Sequence, residues 1–94
     1  MKFEWDPRKN KNNHKKHGVS FEEAQTVFDD IFAAIIEDCF HSFPEQREII
    51  VGQSSENRLL YVVFVEKKDC IRIISARKLT SAERSRYEQG QFSR

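Results

Sequence analysis

Three rhythms of apolar and polar residues run along this 94-residue chain. In "KFEW", Phe3 and Trp5 alternate with polar neighbours, the period-two signature of a short strand. Asp6-Pro7 then reads as an N-cap followed by proline at the first helical position, and Gly18 as a left-handed C-cap. A helix is therefore predicted from Pro7 to about His17. Its residues break the usual rule, because Arg8, Lys9, Lys11, His14, Lys15, Lys16 and His17 crowd it and almost nothing in it is apolar. Helices of small domains normally bury an apolar stripe, and one this short does not persist alone. Its Lys, Arg and His side chains are expected to meet an anionic partner, with Trp5 and Val19 anchoring its ends. The simpler alternative is a solvated helix held by its caps.

The second rhythm is helical. In "VSFEEAQTVFDD", Ser20 and Glu23 form an S-x-x-E capping box, and Val19 stands where a hydrophobic staple to Ala24 belongs. Phe21, Ala24, Phe28 and Ile31 recur at helical spacing, which predicts the core helix. The third rhythm is β. "FAAIIED", "REIIVGQ", "LLYVVFVE" and "CIRIISARK" are strand-length runs separated by short turn-like segments, which favours an antiparallel meander. "LLYVVFV" is apolar throughout and is expected to be covered on both faces. "TSAERSRYEQG" repeats the capping logic with Thr80 and Glu83 and predicts a last helix ending near Gly90. The order β-α-α-β-β-β-β-α describes one α+β domain over residues 1–94.

Charge changes this picture more than composition does. Residues 1–18 hold six Lys/Arg against two acids, residues 19–48 one against eight, and residues 49–94 nine against five. Two basic regions thus flank an acidic middle, although the net charge is only +1. No run approaches a membrane span and "MKFEWDPRKN" has no apolar signal region, so a cytoplasmic location without membrane contact is expected. Cys39 and Cys70 fit that compartment as free thiols, in no metal-binding spacing.

Arginines inside strands are the main chemical signal. Arg47 opens one strand, Arg72 interrupts "CIRII", and Arg77-Lys78 ends the same run. Alternation sends Arg72 and Arg77 to opposite faces unless a bulge intervenes. Each could be a surface residue snorkelling over the sheet or pairing with the acidic segment. Three on a small sheet beside a basic helix point instead to an anion, and phosphate matches the guanidinium fork. Trp5, Tyr61 and Tyr87 could stack RNA bases, Trp5 equally being a core plug. His17 ends the basic helix, where it could serve as an acid–base group; the alternative is a histidine that merely satisfies carbonyls. His14 and His17 lack a third ligand nearby, so no metal and no cofactor are expected. Glycine-rich phosphate loops, G-x-S-x-G and H-E-x-x-H are all absent. A nuclease built from these parts would be metal-independent and act on RNA, whose 2′-OH can attack the adjacent phosphate.

"FEWDPRKNKNNHKKHGVSFEEA", "REIIVG", "RIISARK" and "ERSRY", in this order and spacing, resemble the BrnT toxins of bacterial type II toxin–antitoxin systems. The resemblance implies a RelE-like fold and an RNA-cleaving toxin that inhibits translation. It also implies neutralisation by a BrnA-type antitoxin with a ribbon-helix-helix domain, through which alone operator DNA would be bound. Matching positions make Trp5, Lys9, Lys16, His17, Arg47, Arg72, Arg77 and Tyr87 the candidate functional residues. In the roles expected of them, Arg77 and Arg72 neutralise the scissile phosphate and His17 or Lys78 moves protons. Lys9, Lys16 and Arg47 hold RNA, and Trp5 or Tyr87 stacks a base. A non-catalytic nucleic-acid- or protein-binding module of the same fold is the alternative.

Overall fold

The computed structural model describes residues 1–38 and 45–91. Along the chain run β1 (Phe3–Glu4), α1 (Pro7–His17), and α2 (Phe21–Gln25), which tightens into a 3-10 turn (Thr26–Asp29). Then follow β2 (Ala34–Glu37), β3 (Glu48–Gln53), β4 (Leu59–Glu66), β5 (Ile71–Lys78) and α3 (Ser81–Glu88). This is the expected α+β order; Cys39 lies outside the described residues. The strands form one sheet in the order β1-β5-β4-β3-β2. The meander of β2 to β5 is antiparallel as expected, and β1 adds to β5 as one parallel pair at the edge. Hairpins force antiparallel neighbours, but two helices and three strands separate β1 from β5 in the chain, which permits either sense.

The caps form as their residues dictate. Asp6 Oδ1 accepts the Arg8 N–H at 2.8 Å, and Gly18, at φ +70°, sends its N–H to the His14 carbonyl at 2.8 Å. Ser20 Oγ accepts the Glu23 N–H at 3.0 Å, with Val19 and Ala24 both fully buried behind it. α2 is shorter than its pattern implies. The Thr26 hydroxyl donates to Glu23 O at 2.7 Å and accepts the Ser55 N–H at 2.9 Å, which draws the chain against the sheet. The approach is close at Gly52, where a Cβ would meet the Ala33 Cβ at 2.8 Å. Phe28 stays against the core, but Ile31, expected on the buried stripe, is 87% exposed beyond the turn.

One sheet face is covered by α2. Val19, Phe21, Ala24 and Val27 pack there on Ile50, Leu60, Val62, Phe64, Ile71, Ile73 and Ala76. Burying each large side chain contributes about 1.5–3 kcal/mol. The other face carries a smaller cluster around Ile49 and Val51, under Leu79 and Tyr87. That cover is partial, so Tyr61 and Val63 of β4 are only half-buried, contrary to the expectation for "LLYVVFV".

α1 is held by polar groups. Asn13 is 8% exposed; its Nδ2 donates to the Val19 and Ala76 carbonyls, both at 2.8 Å, and its Oδ1 accepts the Ala76 N–H at 3.2 Å. β1 pairs only with Ile71 and Arg72, so the rest of that β5 edge has no strand beside it. Asn13 takes the missing strand's place, as buried backbone groups require. One turn earlier, Asn10 Oδ1 accepts the Phe21 N–H at 2.8 Å and Asn10 Nδ2 donates to Glu22 at 2.9 Å. The helix's contact within the fold is thus the edge of β5 and the start of α2, a role the sequence reading did not assign. A second tie joins α2 to the β3–β4 turn: buried Glu23 accepts from Ser54 Oγ at 2.7 Å and Arg58 Nε at 2.9 Å.

Leucine at position 13 would fill much of the same space but leave the Ala76 N–H and two carbonyls unpartnered. Asn13→Leu is expected to cost about 2–4 kcal/mol in urea denaturation; an unchanged midpoint would mean the clamp carries no weight.

Candidate functional site

Arg72 and Arg77 share a face because the β4–β5 ladder slips. Val63 pairs with Ser75 and Phe64 with Ile73, so Ile74 is an extra residue on β5. This bulge shifts the alternation by one. Ile71, Ile73 and Ala76 all enter the helix-side core, and Arg72 and Arg77 turn the other way. Arg47 joins them. Glu48 pairs with Phe64, so the register carried one residue back sets Arg47 opposite Val65, which pairs with Arg72. With strands about 4.8 Å apart, Arg47 and Arg72 stand about 10 Å apart at the backbone. Arg77 belongs to the row of Val51 and Tyr61, four β4 residues or about 13 Å further along.

Arg77 is the most constrained of the three. Its Nη1 and Nη2 donate to Glu83 Oε1 and Oε2 at 2.8 and 2.9 Å, and Nη1 also donates to the Lys78 carbonyl at 3.2 Å. The guanidinium lies over the Tyr61 ring, 4.0 Å from its centre. Glu83 also accepts the Thr80 N–H at 2.9 Å and completes the cap of α3, so one carboxylate ties helix to arginine. The Arg77 hydrogen bonds pull the Glu83 pKa down to about 2, and Glu83 in turn holds Arg77 more firmly charged. Burial pushes the Tyr61 phenol up. Arg72 donates to Glu4 at 3.1 Å, across the parallel pair with β1, and Lys67 lies 3.5 Å from the same carboxylate. That bond with Arg72 lowers the Glu4 pKa.

α1 runs along the open edge of β5. At about 100° per residue, Asn10 and His14 lie on the flank of Asn13 that reaches α2, whereas Lys9 and Lys16 lie on the opposite flank. That flank faces the side of the sheet carrying Arg72 and Arg77. Lys9, Lys16, Arg8, Lys11 and Lys15 make no ion pair among the described residues.

His17 and Lys78 are brought to one end of the sheet. The Gly18 carbonyl accepts from Arg58 Nη2 at 3.0 Å, and the Leu79 N–H bonds the Leu59 carbonyl at 3.2 Å. Lys78 follows Arg77 but, pairing with Leu60, points to the helix side of the sheet, so the two do not project together. Trp5 is half-buried and edge-on to Phe21 with ring centres 6.0 Å apart, part of the core's margin. Tyr87 packs in the second cluster, and its hydroxyl donates to the Phe32 carbonyl at 3.4 Å, docking α3. Among the described residues no three His, Cys, Asp or Glu side chains gather as a metal would need, and no helix is long and apolar enough to cross a membrane. Sequence reasoning missed Asn13 and the part Glu83 plays at Arg77. The T-x-x-E box signalled Glu83 only as a cap.

A family model described as the ribonuclease toxin BrnT of type II toxin–antitoxin systems matches residues 5–83, from Trp5 to Glu83. The 1.1 Å crystal structure of the Brucella abortus ribonuclease toxin BrnT has the same fold. The match covers 86% of this chain and 99% of that one, with a TM-score of 0.64 and 23% identity. No curated protein matches.

Because the folded Glu83 pKa lies below its ordinary value of 4.5, the pair with Arg77 stabilises fully above that value and is lost as pH falls toward 2. Arg77 is a third exposed, so screening reduces the contribution to about 1 kcal/mol. The stability gap between wild type and Glu83→Gln should be present at neutral pH and close in acid denaturation between pH 4.5 and 2; a pH-independent gap would contradict this.

Proposed function

The chain belongs to the BrnT family of ribonuclease toxins of type II toxin–antitoxin systems, and on that premise we propose that it cuts RNA without a metal ion and so inhibits translation. The 2′-oxygen attacks the adjacent phosphorus, the 5′-oxygen leaves with a proton, and a cyclic 2′,3′-phosphate and a 5′-hydroxyl result. The protein must align that attack, move two protons and stabilise the crowded phosphate. In this reading Arg77 meets the scissile phosphate, with Arg72 and Arg47 holding its neighbours. Lys9 and Lys16 form a rail along the same side, and His17 moves protons at the end of β5, where Lys78 turns to the other face. Trp5 and Tyr87 serve chiefly to seat α1 and α3, leaving base stacking to what remains exposed of their rings.

The observation that carries the reading is the bulge at Ile74, which turns Arg72 and Arg77 to one face beside cations that have no ion pair among the described residues. A BrnA-type, ribbon-helix-helix antitoxin would neutralise the toxin in the cytoplasm and alone contact operator DNA. The alternative, a non-catalytic binding module, draws on Glu83's hold over Arg77, which commits part of the guanidinium to the fold. Induced expression separates the two, since only a toxin arrests growth.

Purified, antitoxin-free protein incubated with total RNA in EDTA should cleave it. Arg77→Ala should lose about 10²–10³-fold in rate, the usual cost of removing one preorganised donor to a transition state. Intact RNA with the wild type, or equal cutting by both, would refute the mechanism.

A further inference from the structure

Arginine has five N–H donors in one plane. In Arg77 three of them are used among the described residues. The two hydrogens at the head of the guanidinium, one on Nη1 and one on Nη2, go to the Glu83 carboxylate, and the second Nη1 hydrogen goes to the Lys78 carbonyl. What remains is the Nε–H and the outer Nη2–H. These two point the same way along a single edge, the side-on fork that grips two oxygens of one phosphate. Tyr61 lies under the plane and closes one of its faces.

The plane is thus fixed from three elements: the Tyr61 ring on β4, the main chain at the end of β5, and Glu83 at the start of α3. A free arginine side chain forfeits rotamer entropy when it is ordered. Here that ordering is complete before any ligand arrives. Resting on the ribonuclease reading above, we propose that Glu83 is a positioning residue for cleavage, aiming the Nε/Nη2 edge of Arg77 at the scissile phosphate. The carboxylate does not touch RNA. It acts through the guanidinium, and its second task, capping α3 through Thr80, is chemically separable. Glutamine at this position still completes a capping box but cannot hold both guanidinium nitrogens as a charged acceptor pair.

That separation defines the test. Cleavage of RNA in EDTA is followed at several substrate concentrations for wild type, Glu83→Gln and Thr80→Ala. In parallel, each protein binds a 2′-O-methyl oligonucleotide, which cannot be cut. Glu83→Gln should keep KM within about threefold but lower kcat about tenfold or more, as misaligned groups do. Thr80→Ala, which weakens the cap and leaves the ion pair, should lower Tm while keeping kcat within about twofold. Unchanged kcat in Glu83→Gln would overturn the proposal. So would a rise, which would make the carboxylate a competitor of phosphate, or an equal kcat loss in Thr80→Ala, which would make Glu83 a helix anchor only. Should wild type bind the oligonucleotide but leave RNA intact, the ribonuclease reading falls and the positioning role falls with it, whereas a cutting wild type with unchanged kcat in Glu83→Gln overturns positioning alone.

Discussion

The architecture turns on one side-chain amide. β5 is flanked by a full-length partner on one side only, because β1 contributes just two residues to the other. An open inner edge would leave backbone groups without partners, and Asn13 supplies both a donor and an acceptor to Ala76 there. From this clamp follows the unusual character of α1. Seated by Asn10 and Asn13, it needs no apolar stripe, and the remainder of its surface can be almost wholly cationic. A polar helix that would be marginal alone becomes part of the fold.

The clamp also sits next to the chemistry. Ala76 precedes Arg77, and the bulge at Ile74 lies two residues before Ala76. Bulge and clamp together determine which way the end of β5 faces: Ala76 into the core, Arg77 outward over Tyr61. α3 is then fastened from outside, by Glu83 to Arg77 and by Tyr87 to the second cluster, with none of its own residues buried. The basic surface is therefore bounded by α1 on one side and by the Arg77–Glu83 pair on the other.

Much of this was legible in the residues. The caps at Asp6, Gly18, Ser20 and Thr80 announced both ends of α1 and the starts of α2 and α3, because capping is local chemistry, but not the end of α2. That end depends on the meeting of Thr26 with Ser55 and on the close approach at Gly52, which are tertiary. The same division holds at the site. The arginines stand out by type, but their shared face rests on a bulge that alternation cannot foresee. Glu83 reads as a cap from its spacing with Thr80, while its bond to Arg77 needs the turn between β5 and α3 to fold first. Asn13 carries no signal at all among its neighbours, since one asparagine in a run of polar residues looks like surface until β5 is found without a partner.

The central claim is that RNA lies along the face of β5 that carries Arg72 and Arg77, with the Lys9–Lys16 flank of α1 beside it. Amide chemical-shift mapping during titration with a 2′-O-methyl RNA oligonucleotide tests this directly. The account predicts perturbations at Lys9, Lys16, Arg72, Ser75 and Arg77, with Glu22, Thr26 and Ser55 on the α2 side unmoved. Shifts centred on α2 and the β3–β4 turn, with β5 silent, would contradict it.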